Sequence, residues 1–361
     1  MAAAKKEYWI CQVEAMKTER DAYKMARWTS PRPRGPPPPL RLGDKRIVDP
    51  KLRATVLRNT LLRRFSAKDD IPAHSPPRPS KARPSIPWEP LTDLEVERST
   101  IGCASKAPGA DGITVPILKA CWPVIGCHIT QLFQACLDHG TFPETFKLAE
   151  VVLIQKPRKD PASVKGWRPI ALLSCLGKGL EHLVAWRIAH LAMTRGLVSP
   201  QQIGALPGRA ATDLVGCVVY DLETARDLGM AATMVTLDVK GAFDGVLHNR
   251  LIQRLQEQGW SPTLVQWIGS FLTNRRAQVK YPGGTTMPTL LMCGTPQGSP
   301  LSPILFLLYM AEGLMAGNPW RRFRYADDIA VVGFGWNTKQ ATESAQREAA
   351  LLYQWASENV I

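Results

Sequence analysis

The sequence predicts a mixed α/β (α+β) fold from two observations. Runs with strand character alternate irregularly with runs of helical spacing, and the chain is long and apolar enough for a sizeable core. Apolar residues make up 45% of the 361 residues and charged residues 21%, which excludes a fully disordered or collagen-like chain. The strands are expected at 150–155, 230–238, 277–281 and 329–332. The helices are expected at 92–101, 114–139, 174–195, 210–228, 246–258, 262–272, 302–316 and 339–358.

Residues 1–94 are expected to form a basic, proline-rich linker that contains short helices. Residues 31–90 hold 14 of the 30 prolines, and proline fixes φ and removes a backbone donor. One helix is expected at 5–28 and another at 50–66, where apolar residues approach helical spacing. The stretch 70–90 is expected to be an extended, solvated tether.

The net charge of +14 favours a polyanionic partner, either nucleic acid or, less often, an anionic membrane surface. A basic protein without such a partner is the alternative. No apolar run reaches the length of about 18 residues that a membrane span requires, so no membrane partner is expected. The eight cysteines form no CxxC pair, and the N-terminal residues contain no apolar signal segment. These features predict an intracellular protein with reduced thiols.

A first carboxylate cluster follows an expected buried strand. The apolar run at 234–237 leads directly into Asp238, and the chain turns at Gly241 toward a helix expected near Val246. Ligands of α/β proteins bind at the carboxyl ends of strands, so Asp238 is a candidate ligand-binding residue, with a capping role as the alternative. Asp244 lies closer to the helix and is expected to be its N-cap rather than a ligand.

A second cluster, Asp327-Asp328, lies in a pattern typical of a strand, a tight turn and a strand. Ordinary turn chemistry explains such a pair equally well when it is considered alone. Two adjacent carboxylates repel each other when ionised, and a divalent cation relieves that repulsion. Three carboxylates that converge from two strands would hold two Mg²⁺ ions for in-line attack at phosphorus.

Three motifs in order resemble those of reverse transcriptases. Tyr325 to Asp328 matches the YxDD box, Asp238 with Phe243 matches the preceding aspartate motif, and residues 294–303 match the motif between them. The amino-acid sequences of segments farther upstream most closely resemble the fingers motifs of non-LTR (LINE-type) retrotransposon enzymes of the Tad-like and jockey-like kinds. These segments are 106–113, 166–174 and 204–213. The resemblance covers about 95–361.

The resemblance implies a right-hand polymerase fold. Residues 95–228 would form the fingers and residues 229–361 an incomplete palm, preceded by the linker at 1–94. The fourth palm motif and the thumb of the family are missing, so the resemblance implies a truncated copy of an element. A chain without a thumb is expected to bind nucleic acid more weakly and to be impaired as a polymerase.

The resemblance assigns the catalytic residues and the reaction. Asp238, Asp327 and Asp328 would bind two Mg²⁺ ions, for which Mn²⁺ would substitute, and the backbone carbonyl of Val239 would be an additional ligand. The reaction implied is attack of a primer 3′-hydroxyl on the α-phosphate of a dNTP. Positioning and charge neutralisation account for most of the catalysis in such a reaction.

The resemblance also assigns the dNTP pocket. Lys156 and Arg168, on two expected fingers strands, would clamp the triphosphate. Phe243 would clash with a ribose 2′-hydroxyl and thereby select dNTPs. Pro169 places its strand at a sheet edge, because proline has no N–H for a second neighbour. The remaining members of the implied pocket are Gly241 and Ala242, which leave room for the nucleotide, and Gln297, which would touch the nascent base pair or template.

Lys147, Arg187 and Arg209 are candidates for contacts with the nucleic-acid backbone, with a solvated surface charge as the alternative for each. The partners implied are an RNA template, a DNA primer and dNTPs; the oligomeric state stays open. The family implies action in the nucleus, and the cytoplasm and mitochondrion stay open.

Two rival functions also stay open. An RNA-templated RNA polymerase would share the carboxylates but use rNTPs, and Phe243 argues against it. A non-catalytic remnant that only binds nucleic acid would fit the charge of +14 and the missing thumb.

Overall fold

The computed structural model describes residues 38–62, 66–78, 83–103 and 107–359, together with the isolated positions 7, 10, 11, 14 and 18. The helix expected at 5–28 lies outside these ranges apart from the isolated positions. The strands in chain order are β1 (Leu40–Leu42), β2 (Lys45–Ile47), β3 (Leu148–Gln155), β4 (Trp167–Leu172), β5 (Ala231–Asp238), β6 (Arg276–Tyr281), β7 (Gly284–Thr285), β8 (Thr289–Leu290), β9 (Arg322–Tyr325) and β10 (Asp328–Gly335).

The helices in chain order are α1 (Pro50–Leu62), α2 (Asp93–Thr100), α3 (Val115–Asp138), α4 (Cys175–Thr194), α5 (Ala211–Asp227), α6 (His248–Glu257), α7 (Pro262–Leu272), α8 (Ser302–Met315) and α9 (Thr338–Glu358). The mixed α/β fold class is thereby confirmed. Every strand and helix expected between 92 and 358 is present, and its ends differ from the expected ones by no more than three residues.

A three-stranded antiparallel sheet in the order β5-β10-β9 carries both carboxylate clusters. Across β5 and β10, the register pairs Asp238 with Asp328 at one end and Ala231 with Gly335 at the other. Helix α9 packs on one face of the sheet, where the Thr342 and Thr233 hydroxyls are 3.1 Å apart. The pairing therefore brings two sequence-distant aspartates to the same sheet edge.

A second sheet has the order β4-β3-β6-β7, with β8 also paired to β6. Strand β4 is the edge strand, as Pro169 predicts. Strands β3 and β6 run parallel, so residues 276–281 of the expected palm join strands of the expected fingers. The expected boundary between 228 and 229 therefore does not separate the two sheets.

Helix α8 is the apolar centre of the molecule. Eleven of its 14 residues are buried, among them Ile304, Leu305, Leu307 and Leu308. A helix that is apolar all round belongs in a core, and each such side chain contributes about 1.5–3 kcal/mol when fully buried. Within the described ranges, no helix combines the length and apolar character needed to cross a bilayer.

The segment that precedes α2 is docked on the core, where the sequence predicts a solvated tether. The Asp70 carboxylate accepts the backbone N–H groups of Asn249 (2.9 Å) and Arg250 (3.1 Å), which lie in the first turn of α6. Arg78 forms an ion pair with Glu257 in the last turn of α6 at 2.7 Å. These contacts join residues about 180 positions apart, so no local pattern reveals them.

Candidate active site

A cleft of about 590 Å³ opens where β5 and the β9–β10 turn end. Asp238 and Asp327 line one part of its wall, and Lys156 and Arg168 line another. The pocket residues expected at Val239, Gly241, Ala242, Phe243 and Gln297 all line the same cleft. Segments separated by up to about 170 residues therefore form a single surface, which carries carboxylates and cations that a phosphate-bearing ligand can meet together.

The turn between β9 and β10 determines how the aspartates are presented. Ala326 has a φ of 54°, which is rare for a residue with a side chain. This left-handed residue reverses the chain, so that Asp327 is half-buried in the cleft and Asp328 lies opposite Asp238. The three aspartates of the sequence prediction therefore lie at one end of one sheet.

The carboxylates of the cleft suit a metal ion that arrives with its substrate. Within the described ranges, no three or more His, Cys, Asp or Glu side chains are grouped so that they could hold a metal ion by themselves. Asp238 and Asp327 provide two carboxylates at an open cleft. Mg²⁺ is bound in this way by one or two protein carboxylates together with substrate phosphates. The residues therefore fit a metal–triphosphate complex rather than a permanently caged ion. The Val239 carbonyl accepts the Ala242 N–H at 3.3 Å, which closes the turn after β5.

The cationic side of the cleft is carried by the β3–β4 hairpin. The backbone N–H of Lys156 donates to the Gly166 carbonyl at 2.8 Å, which closes the loop. The side chain of Arg168 is exposed on the edge strand β4. Neither side chain forms an ion pair in the part of the chain that the structure describes. Both charges are therefore available to phosphate oxygens.

Phe243 forms part of the cleft wall and is backed by the core. Its ring is half-buried, and the ring centroid lies 5.2 Å from that of Phe306 at an interplanar angle of 50°. Its carbonyl accepts the Thr295 N–H at 2.7 Å, which ties the turn after β5 to the loop at 294–299. The ring therefore has one side toward the cleft and one side against α8.

Gln297 is held by both neighbouring segments. Its side-chain amide donates to Asp244 Oδ1 at 2.8 Å, and its carbonyl accepts the Ala171 N–H of β4 at 2.8 Å. The expectation that Asp244 caps the next helix is wrong, because α6 begins only at His248 and Asp70 caps it. Asp244 instead orients Gln297 in the cleft.

Lys147 and Arg187 are placed differently from the surface positions that the sequence suggested. Lys147 is only 4% exposed, and its Nζ contacts Glu144 Oε1 at 2.6 Å. Arg187 binds both carboxylate oxygens of Glu95, at 2.7 and 3.0 Å. Arg209 donates to the backbone carbonyls of residues 200 and 202. None of the three lines the cleft. Each of the three cations therefore has a partner within the described residues.

Arg324 lies directly beneath the aspartate turn, and no motif in the sequence points to it. Its Nε–H donates to the Ala326 carbonyl at 2.8 Å, and its guanidinium carbon lies 5.1 Å from the centroid of the Phe306 ring. Burial lowers the pKa of Arg324 to about 9, although the nearby charge of Asp327 acts in the opposite direction. The strand β9 has the sequence RFRY and also contains the buried Arg322, so no local feature set Arg324 apart.

Glu181 of α4 is a second buried charged residue that sequence reasoning missed. It is fully buried, with none of its surface exposed. Burial raises the pKa of Glu181, while the charge of Arg275 and the hydroxyl of Ser299 act in the opposite direction. Ser299 belongs to the loop that carries Gln297, so this carboxyl lies behind the cleft.

We expect Glu181→Gln to raise the melting temperature at neutral pH. A carboxyl whose pKa is higher in the folded chain favours folding below its unfolded value and loses that contribution as the pH rises through its folded value. The difference in melting temperature between the variant and the wild type is therefore absent near pH 4 and grows toward pH 8. Thermal unfolding measured across this range tests the prediction. Glu257→Gln, which removes the partner of Arg78, is expected to destabilise instead. A variant no more stable than the wild type at pH 8 would contradict this assignment.

A family model described as "Reverse transcriptase (RNA-dependent DNA polymerase)" matches residues 154–359, more than half of the chain. This range includes the aspartates of the cleft, Lys156, Arg168 and Gln297. The solved structure titled "Structure of apo telomerase from Candida Tropicalis truncated from C-terminal domain" covers 58% of this chain and 47% of that chain, with 12% identity and a TM-score of 0.39. A TM-score this low adds nothing to the assignment.

Three curated relatives are similar to most of this chain. It is 28% identical over 279 residues to "Probable RNA-directed DNA polymerase from transposon BS" of Drosophila melanogaster, covering 75% of this chain and 31% of the relative. It is 29% identical over 281 residues to "RNA-directed DNA polymerase from mobile element jockey" of Drosophila funebris, covering 75% and 30%. It is 32% identical over 270 residues to "Retrovirus-related Pol polyprotein from type-1 retrotransposable element R1" of Bradysia coprophila, covering 72% and 26%. The chain therefore spans less than a third of the length of these relatives.

Proposed function

The chain belongs to the reverse transcriptase (RNA-dependent DNA polymerase) family, of the non-LTR type found in jockey and R1 elements, and on this premise we propose that its cleft adds dNTPs to a DNA primer on an RNA template. The observation that carries the proposal is the cleft itself. Two carboxylates, Asp238 and Asp327, share it with two cations, Lys156 and Arg168. This arrangement suits a triphosphate whose reacting phosphate lies at the carboxylates.

Each residue of the cleft has a proposed task. Two divalent ions, Mg²⁺ or Mn²⁺, held by Asp238, Asp327 and Asp328, would activate the primer hydroxyl and stabilise the leaving diphosphate. Lys156 and Arg168 bind the β- and γ-phosphates and offset their charge. Phe243 excludes a ribose 2′-hydroxyl by contact, which favours deoxyribose. The amide of Gln297, oriented by Asp244, faces the base pair that forms.

The uncovered face of the β5-β10-β9 sheet is the proposed floor for the primer and template. Along β5, exposed residues alternate with half-buried ones, and Met234 and Thr236 point away from α9 on the side of Asp238. The net charge of +14 supports binding of a polyanion there. Action in the nucleus is the matching proposal for localisation, because insertion of an element requires chromosomal DNA.

Primer extension tests the proposed function. The chain is incubated with an RNA template, a labelled DNA primer, Mg²⁺ and dNTPs, and in parallel with rNTPs. Extension with dNTPs only supports the proposal. Extension with rNTPs at a similar rate would indicate an RNA-templated RNA polymerase. RNA binding without extension would indicate a non-catalytic remnant.

We expect Lys156→Ala and Arg168→Ala each to raise the KM for dNTP by roughly 10–100-fold, because each removes a charge-assisted contact worth about 1.5–3 kcal/mol. The kcat should change much less, since the reacting phosphate lies at the carboxylates. Lys165→Ala is the matched control: this lysine is exposed in the same hairpin loop but does not line the cleft. An equal rise in KM for Lys165→Ala would show that the overall positive charge of the loop lowers the KM, rather than direct contact of Lys156 and Arg168 with the triphosphate.

A further inference from the structure

Three side chains form a continuous row of contacts that runs from the cleft into the core. Phe243 lines the cleft, and its ring packs against that of Phe306 at 5.2 Å. The guanidinium of Arg324 covers the same Phe306 ring at 5.1 Å. The ring next to the nucleotide pocket is thereby connected, through one buried phenylalanine, to the arginine beneath the aspartate turn.

Arg324 is not explained by fold stability. It is 1% exposed, and both of its Nη atoms lack a hydrogen-bond partner within the described ranges. Burial of a cation with two unsatisfied Nη atoms is destabilising even when a carboxylate such as Asp327 lies nearby, and an apolar side chain of similar size in its place is often neutral or stabilising. The hydrogen bond that its side chain does make within the described ranges, from Nε to the Ala326 carbonyl, lies in the turn that carries Asp327.

That contact restrains an uncommon backbone conformation. Ala326 has a left-handed φ of 54°, which is unfavourable for alanine and persists only where the surroundings impose it. The Nε–H of Arg324 holds the Ala326 carbonyl at 2.8 Å. The direction in which the next residue, Asp327, points therefore depends on Arg324.

Phe306 has the corresponding role for Phe243. It is 1% exposed, so its ring cannot move without disturbing α8. Phe243 is half-buried, with its inner side against Phe306. The distance between the Phe243 ring and a bound sugar is therefore set by the residue behind it.

We propose that Phe306 and Arg324 are positioning residues that join the sugar-selecting ring of Phe243 to the aspartate turn, so that selection of deoxyribose and placement of Asp327 depend on this one row of contacts. This rests on the proposed function. Phe306 sets how closely the Phe243 ring approaches the sugar. Arg324 holds Phe306 from behind and the Ala326–Asp327 turn from below.

Single-nucleotide incorporation tests the link. The kcat and KM for dNTP and for the matching rNTP are measured on one primer–template for the full chain and its variants, with the melting temperature of each. The variants are Phe306→Leu, Arg324→Met, Arg324→Lys and the control Phe271→Leu. Phe271 is also a fully buried phenylalanine covered by an arginine, Arg275 at 4.7 Å, but it does not line the cleft. The ratio of kcat/KM for dNTP to that for rNTP is independent of the fraction of folded enzyme.

We expect Phe306→Leu to lower this ratio by about 10-fold or more, with the kcat for dNTP within a few-fold of the wild type. Arg324→Met should lower both the ratio and the kcat for dNTP by about 10-fold, without lowering the melting temperature. Arg324→Lys, which keeps the charge, should recover part of the ratio. Phe271→Leu should lower stability and leave the ratio unchanged.

Two results would overturn the inference while leaving the proposed function intact. One is a wild-type ratio in both Phe306→Leu and Arg324→Met. The other is an Arg324→Met variant with an unchanged kcat for dNTP, which would show that Arg324 does not couple the Phe243 ring to the aspartate turn. A wild-type chain that incorporates neither nucleotide overturns the proposed function first and the inference with it.

Discussion

Asp327→Asn is expected to abolish primer extension, with a loss of about 10³-fold or more. The substitution keeps the size of the side chain and removes the charge that faces the cleft. Carboxylate-bound metal ions are worth several kcal/mol of transition-state stabilisation, which corresponds to a loss of this size. The turn itself should survive, because the Nε–H of Arg324 donates to the backbone carbonyl of Ala326, and the substitution leaves that contact in place.

Asp244→Asn is the matched control for this experiment. Asp244 also lines the cleft, but its carboxylate accepts the amide of Gln297 at 2.8 Å. Its replacement is expected to cost far less activity than that of Asp327. RNA binding, measured for both variants, should stay at the wild-type level. An inactive Asp244→Asn beside an active Asp327→Asn would show that the metal-binding carboxylates have been misassigned.

The second large effect is expected for Gly204→Ala, although Gly204 does not line the cleft. A Cβ at Gly204 would lie 2.3 Å from the backbone N of Ala326 and 3.0 Å from the Cα of Tyr325. The segment that contains Gly204 runs beside β9, where the Ile203 N–H donates to the Arg324 carbonyl at 3.0 Å. The added Cβ would clash with backbone atoms, which cannot rotate away as a side chain can, so the aspartate turn must move. A displacement of about 1 Å at a catalytic group can lower kcat by about 10²-fold.

Gly216→Ala is the control for the loss of a glycine. Gly216 lies in the middle of α5, and a Cβ there would meet nothing within 4 Å. Alanine in a helix interior is favoured over glycine by about 1 kcal/mol, so this variant should be slightly more stable and fully active. The kcat for dNTP and thermal unfolding would be measured for both variants. A wild-type kcat for Gly204→Ala would show that the turn tolerates displacement.

The features that could be predicted from the sequence are those that depend on neighbours along the chain. Strand β5 and its terminal Asp238 follow from an apolar run that stops at a polar residue and a glycine turn. The aspartate hairpin follows from two apolar runs separated by a tight turn, and the edge position of β4 follows from Pro169. Hydrophobic periodicity and backbone chemistry are local, so these inferences needed no tertiary structure.

The expectations that differ from the structure concern residues whose partners are distant. Asp244 was expected to cap α6, but Asp70 provides the cap from a segment that was expected to be a solvated tether. Lys147 and Arg187 were expected on the surface, but Glu144 and Glu95 bind them. A charged side chain offers no local sign of whether it will meet water, phosphate or a carboxylate.

The residues predicted to carry the chemistry can be proposed without coordinates, because the aspartates and Phe243 occur in motifs whose order and spacing resemble those of the family. How those residues are held depends on contacts between segments that are distant along the chain. The burial of Glu181 and Arg324 and the close approach of Gly204 to Ala326 are properties of several segments packed together. Burial depends on everything that surrounds a side chain, and a linear pattern records only what precedes and follows it.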